Sequence, residues 1–87
     1  MRRISFLPRA FDDFVLWANE NQKIHQRIAE LIKDIQRDSF SGIGKPEPLK
    51  HKFKGLWSRR ITDEHRLVYQ ITDEEIVIVQ CRFHYGK

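Results

Sequence analysis

The chain holds a single cysteine, Cys81. That excludes an intramolecular disulfide framework and suits a reducing compartment. No apolar run approaches the ~20 residues of a membrane span. The opening "MRRISFLPRA" has two arginines but lacks the apolar stretch of a secretory signal, so the expected location is the cytoplasm, with no membrane partner. Internal repeats and low-complexity tracts are absent. Its 87 residues leave little room for a second core, so 1–87 is expected to form one domain. A chain this size buries only ~60–70% of its unfolded surface, so most apolar residues should be committed to that core.

What is present is an uneven distribution of charge. Residues 1–44 carry seven Lys/Arg and six Asp/Glu, and residues 67–87 carry two and three. Residues 45–66 carry seven, including Lys45, Lys50, Lys52 and Lys54, against Glu47, Asp63 and Glu64, a balance of +4 that equals the net charge of the chain. A solvated face usually mixes the signs. A concentrated basic segment that contains Trp57 favours a polyanion, of which nucleic acid is the usual one.

The hydrophobic pattern divides the chain in two. "RRISF" suits a short strand before Pro8, and Pro8 suits the first turn of a helix. Phe11, Phe14, Val15 and Ala18 follow at helical spacing, with Asp12 and Asp13 near the positive end of the helix dipole. "NENQ" breaks the pattern. Ile24, Ile28, Leu31, Ile32 and Ile35 then form a stronger stripe. "SGIGKPEP" has two glycines and two prolines and reads as a loop. "GLWSRRI", "RLVYQIT" and "EIVIVQCRF" read as strands, and the short turns between them predict antiparallel hairpins. The predicted fold is α+β, with two N-terminal helices packed on one face of an antiparallel β-sheet.

Strand parity then assigns faces. Val77, Val79, Cys81 and Phe83 are expected to meet the helices, as are Leu67, Tyr69 and Ile71, and Trp57 and Ile61. Gln80, Arg82 and His84, with Arg66, Val68 and Gln70, and Ser58 and Arg60, fall opposite. Arg60, Arg66 and His84 can therefore share an open face beneath "GKPEPLKH".

The constellation that results is Glu47, Lys50, Arg60, Arg66, His84 and Tyr85. RNA cleavage without a metal needs a base for the 2′-hydroxyl, an acid for the leaving 5′-oxygen and cations around the phosphate. A carboxylate, a histidine and several Arg/Lys meet that list, and an aromatic ring can stack on a base. Plainer roles also fit: Tyr85 could cover the core edge and Glu47 could be a solvated loop acid. His51 and His65 suit surface or backbone-capping positions, His25 a helix boundary and Cys81 the core. Cys81 and His84 fall on opposite strand faces, and no other cysteine exists to complete a zinc set, so neither a metal site nor a cofactor is expected.

"GKPEPLKH", "GLWSRRI", "EHRLVY" and "CRFHY", in this order and spacing, resemble the YoeB/Txe family of bacterial toxins within the RelE superfamily. "FDDFVLW" and "IAELIKDI" extend the resemblance over almost the whole chain. It implies a RelE-like, microbial RNase-like fold and an endoribonuclease that cuts mRNA in the ribosomal A site, against rRNA, and so inhibits translation. It also implies a cognate antitoxin of the YefM/Axe kind and, in many members, a homodimer. By motif position Glu47 is similar to the family's general base, His84 to its general acid and Arg66 to its phosphate-stabilising arginine. Tyr85 matches the terminal aromatic that positions the substrate, and Lys50 and Arg60 match supporting cations.

Two departures stand out. Gly86 and Lys87 follow Tyr85, where members often stop at the tyrosine, which bears on how Tyr85 is held. Leu7 stands where a polar helix cap is common, which bears on stability. Two other functions compete with the nuclease: a non-catalytic RNA- or ribosome-binding module using residues 45–66, and an inactive relative retained for antitoxin binding. Glu47 discriminates the first, because an acid among cations weakens polyanion binding whereas catalysis requires a base.

Overall fold

The computed structural model describes residues 1–84. In chain order the elements are β1 (Arg3–Phe6), α1 (Pro8–Glu20), α2 (Gln22–Arg37), β2 (Glu47–Pro48), a 3₁₀ turn at His51–Phe53, β3 (Trp57–Arg60), β4 (Arg66–Ile71) and β5 (Glu75–Gln80). The five strands form one sheet in the order β1-β5-β4-β3-β2. The β2–β3, β3–β4 and β4–β5 pairs are antiparallel, as the short turns predict. β1 differs: it runs parallel to β5, with Ile4 opposite Ile76 and Phe6 opposite Ile78. The two helices supply the long crossover that a parallel neighbour requires.

Pro8 occupies the first turn of α1, where its missing N–H is harmless. Leu7 offers no side-chain cap, but its N–H donates to the Ile78 carbonyl at 2.9 Å and its carbonyl accepts from Phe11 N–H at 3.0 Å. The polar "NENQ" resolves into a single joint. The Asn21 N–H bonds the Trp17 carbonyl and closes α1, while its Oδ1 accepts from the N–H groups of Lys23 and Ile24 and opens α2. Asp12 and Asp13 lie beyond the first turn of α1, which holds no acidic residue, so they contribute less to the dipole than expected.

The core lies between the helices and one sheet face. α2 contributes Ile28, Leu31, Ile32 and Ile35, the predicted stripe, with Ile24 packed at its margin. In α1 the buried face differs from the expected one: Ala10 and Trp17 are buried and Phe14 packs beside them, whereas Phe11 and Val15 are exposed. Ile4, Leu7, Leu16, Phe40 and Ile43 are exposed as well, so the apolar residues are not all committed to the core.

β3 and β4 follow the expected parity, with Trp57, Ile61, Leu67, Tyr69 and Ile71 on the core side. β5 does not. Ile76 and Ile78 are fully buried in the core cluster, and Val77 and Val79 are only partly buried. The cause is a bulge. Tyr69 is opposite Ile78 and Val68 opposite Gln80, so Val79 has no partner. One unpaired residue reverses the alternation, placing Gln80 away from the helices and Cys81 in the core. The strand then stops at Gln80, earlier than expected, and residues 81–84 form an irregular segment.

Candidate nucleic-acid interface

The interface starts with a buried arginine that positions the loop in front of it. Arg59 shares its strand face with Trp57 and Ile61 and is fully buried. Its Nη1 pairs with Asp34 of α2 at 2.5 Å and donates to the Ile43 carbonyl at 3.1 Å. Its Nη2 donates to the carbonyls of Asp38 and Ser41 at 2.7 and 3.0 Å, and its Nε reaches the Tyr69 hydroxyl at 3.2 Å. The Tyr69 hydroxyl donates onward to the Ser39 carbonyl. Hydrogen bonding to the Arg37 guanidinium, then to Arg59 and the Ile43 N–H, holds the Asp34 carboxyl down at about 2 against the opposing pull of desolvation.

Loop 38–46 is therefore stapled to the core through its carbonyls. Gly44 completes the staple. Its φ is +80, a Cβ there would lie 2.8 Å from Leu31, and its carbonyl accepts from the Arg60 N–H. Arg59 also corrects the charge reading. One of the seven cations in residues 45–66 is neutralised by Asp34, so the unbalanced excess there is +4 less one, or +3.

The stapled loop delivers Glu47 to the sheet edge. Glu47 sits opposite Ser58, and Leu49 anchors the following turn by burial and by donating to the Leu56 carbonyl. Glu47 and Lys50, both exposed, line a cleft of about 540 Å³ together with His51, Lys52 and Phe53. His51 adopts a left-handed backbone at φ 58.

One strand inward, Arg60 is directly opposite Arg66. Residues opposite one another project to the same side, so Glu47, Ser58, Arg60, Arg66, Val68 and Gln80 share the face away from the helices. Two like charges facing one another oppose folding unless an anion lies between them. Arg66 is partly buried: its Nη1 donates to the carbonyls of Thr62, Asp63 and His65 at 2.7, 3.0 and 3.2 Å. None of these bonds uses the Nη2–Nε edge.

That face is less open than parity suggests. Ser58, Val68 and Gln80 are buried on it, and Gln80 Nε2 donates to the carbonyls of Arg82 and Phe83. The Arg66 N–H donates to the Phe83 carbonyl at 3.0 Å, so the segment that leads to partly buried His84 is tied to the start of β4 through a bend rather than by continuation of β5. Tyr85 lies outside the described residues.

Of the other singled-out residues, His25 stacks against Phe14 at the helix boundary, with ring centroids 4.3 Å apart. Burial pushes the Cys81 thiol up to about 12, the inert thiol of a core residue. His65 is buried rather than at the surface, and its role is a backbone contact. The sequence reading counted Arg59 only as one of the cations of residues 45–66 and missed its buried role, although parity with Trp57 and Ile61 would have found it. Among the described residues no group of three or more His, Cys, Asp or Glu could hold a metal ion. None of their helices is long and apolar enough to cross a membrane.

A five-stranded sheet covered on one side by two helices, with two opposed arginines on the other, is an architecture this chain shares with solved bacterial toxins. A family model described as the YoeB-like toxin of bacterial type II toxin–antitoxin systems matches residues 6–85, and the chain belongs to that family. Toxin YoeB of Streptomyces coelicolor is 55% identical over 83 residues, covering 95% of this chain and 99% of the relative. A YoeB/ParE toxin from Agrobacterium tumefaciens is similar in structure at a TM-score of 0.93 and 40% identity, covering 95% and 99% of the two chains. The toxin of a YoeB–YefM complex from Staphylococcus aureus is similar at 0.89 and 45%, covering 98% and 99%. A YoeB dimer from the same organism is also known.

Proposed function

We propose that this toxin is a ribosome-dependent endoribonuclease that cuts mRNA in the A site and so inhibits translation. The observation that carries the reading is the common face. Glu47 lies one strand from Arg60 and two from the opposed Arg66, and the segment bearing His84 is bonded to the Arg66 backbone. Glu47 takes the 2′-hydroxyl proton, and the freed oxygen attacks the adjacent phosphorus. The bond to the 5′-oxygen breaks as His84 protonates it, leaving a 2′,3′-cyclic phosphate and a 5′-hydroxyl. The Nη2–Nε edge of Arg66 grips two phosphate oxygens, Lys50 and Arg60 add positive charge, and Tyr85 positions the substrate. These groups run the reaction without a metal ion.

A YefM-like antitoxin, through an acidic and hydrophobic segment, would neutralise the basic face, and the toxin would work in the cytoplasm, where ribosomes are. Dimerisation of the kind seen in the Staphylococcus aureus relative is part of the same proposal.

The test uses mRNA bound in the A site, with the bridging 5′-oxygen either natural or replaced by sulfur, which leaves without being protonated. Discrete cleavage within codons is expected for the parent, and intact message overturns the reading in favour of a binding module. Glu47→Ala and His84→Ala should each slow cleavage of the natural substrate by roughly 10²–10⁴. Sulfur should restore His84→Ala and leave Glu47→Ala slow. Rescue of neither variant, or of Glu47→Ala alone, overturns the assignment of His84 as the acid.

A further inference from the structure

His84 is preceded by a residue in an uncommon conformation. Phe83 has φ 63, in the left-handed region that a bulky side chain rarely adopts. Such a backbone persists only where its surroundings over-determine it. Here His65, the last residue before β4, and Arg66, the first of β4, hold both of its peptide groups. Nδ1 of His65 accepts the Phe83 N–H at 2.8 Å, and the Arg66 N–H donates to the Phe83 carbonyl at 3.0 Å.

His65 is 8% exposed, and its ring stands edge-on to Trp17 of α1, with centroids 4.8 Å apart. Because Nδ1 accepts, the ring proton sits on Nε2, 3.6 Å from the exposed Glu64 carboxylate. Arg82 braces the same segment: it lies over Trp17 at 4.4 Å and pairs with Glu20 at 3.1 Å. A buried imidazole thus links the phosphate-facing arginine, its immediate neighbour, to the segment that bears His84.

We propose that His65 is a positioning residue for cleavage, whose Nδ1 clamps the Phe83 N–H and so sets the direction in which His84 leaves the sheet. The proposal rests on the reading of His84 as the acid. A backbone error of ~1 Å at a reacting group costs about 10² in rate, so the clamp matters even though His65 touches no substrate.

The test separates the acceptor from the ring. His65→Phe keeps a ring against Trp17 and removes the acceptor, while His65→Asn keeps an acceptor near the Nδ1 position and removes the ring. Single-turnover cleavage on programmed ribosomes, ribosome affinity and melting temperature are measured for both, with His84→Ala alongside. His65→Phe should lose about 10² in the cleavage rate with affinity unchanged, and His65→Asn should keep most of the parental rate. Parental cleavage by His65→Phe overturns the proposal, as does loss in both variants in step with their melting temperatures. Normal cleavage by His84→Ala would instead overturn the reading of His84, and the two failures are distinct.

Should His65→Phe not fold, ¹⁵N NMR of the parent gives a direct measurement. A coupling across the hydrogen bond between the Phe83 amide nitrogen and His65 Nδ1 is expected, with slow exchange of that amide. A fast-exchanging Phe83 amide without the coupling overturns the clamp.

Discussion

Arg59 and Arg60 are neighbours in β3 with opposite fates. Arg59 points to the helices, is fully buried, and binds Asp34, three carbonyls and a tyrosine hydroxyl. Arg60 points the other way, is exposed, and faces Arg66 across the sheet. The chemistry is the same, and the two-residue period of a strand separates a staple from a cation on the opposite face. Charge counted along the chain cannot make that distinction, because only one of these residues has a partner carboxylate. A cation whose charge is internally satisfied belongs to the fold, whereas one placed against another cation is poised for an external anion.

The largest expected effect lies on the buried side. Arg59→Met leaves Asp34 with the exposed Arg37 but without its buried partner, removes the staple of loop 38–46, and should cost ~3–5 kcal/mol in chemical denaturation. Typical domain stabilities are ~5–15 kcal/mol, so the variant would be close to unfolding. A loss below ~1 kcal/mol would break the comparison, because the pair would then behave like a surface salt bridge.

Arg66→Lys comes next. An ammonium cannot both hold the three turn carbonyls and grip a phosphate with a planar fork, so cleavage should fall by about 10² in a single-turnover assay. Near-parental cleavage would reduce Arg66 to a point charge.

Arg60→Gln sharpens the contrast with its neighbour. Cleavage should fall roughly tenfold, equivalent to about 1.4 kcal/mol, while stability stays within ~0.5 kcal/mol or rises slightly as the opposed charges part. A denaturation midpoint that collapses with this variant would place Arg60 with Arg59.

The smallest effect is in acid. The Asp34 carboxyl titrates at about 2 in the folded chain, below its ordinary 3.8. Its stabilising contribution is complete above the ordinary value and is lost as the pH falls towards about 2. Asp34→Asn should therefore show a shallower decline of stability between pH 5 and pH 2, as about one titrating group is removed. An unchanged acid slope would assign that decline to other carboxylates.

The sequence was most informative where periodicity was unambiguous. Ile28, Leu31, Ile32 and Ile35 leave α2 one apolar face, and that face is buried. α1 has Phe11, Val15 and Leu16 on its outside as well as Phe14 and Trp17 within, so two stripes competed, and spacing alone mixed them, joining Phe14 to Phe11 and Val15 and leaving out Trp17. In β5 four apolar residues run consecutively, from Ile76 to Val79, and such a run carries no phase. Only the hydrogen-bond register reveals the unpaired Val79. Arg60 and Arg66 were legible because β3 and β4 alternate cleanly. Glu47 came from the motif "GKPEPLKH", since no periodicity predicts where a Pro-flanked loop meets a sheet. The bend that carries His84 depends on the tertiary contact with His65, which has no local signature.

The parallel pairing of β1 with β5 has a consequence for the order of synthesis. β1 has one neighbour in the sheet, and that neighbour is made some seventy residues later. Until residues 75–80 have left the exit tunnel, Arg3–Phe6 has no strand to join and the two helices lack the Ile76 and Ile78 surface that covers them. The last strand in the sequence is flanked on both sides, by β1 and β4. The Arg60–Arg66 pair lies in the local β3–β4 hairpin and does not wait for β1, whereas the helix-covered core does wait for β5. The helices stay uncovered until that non-local pairing forms, which is the slow kind of contact in folding.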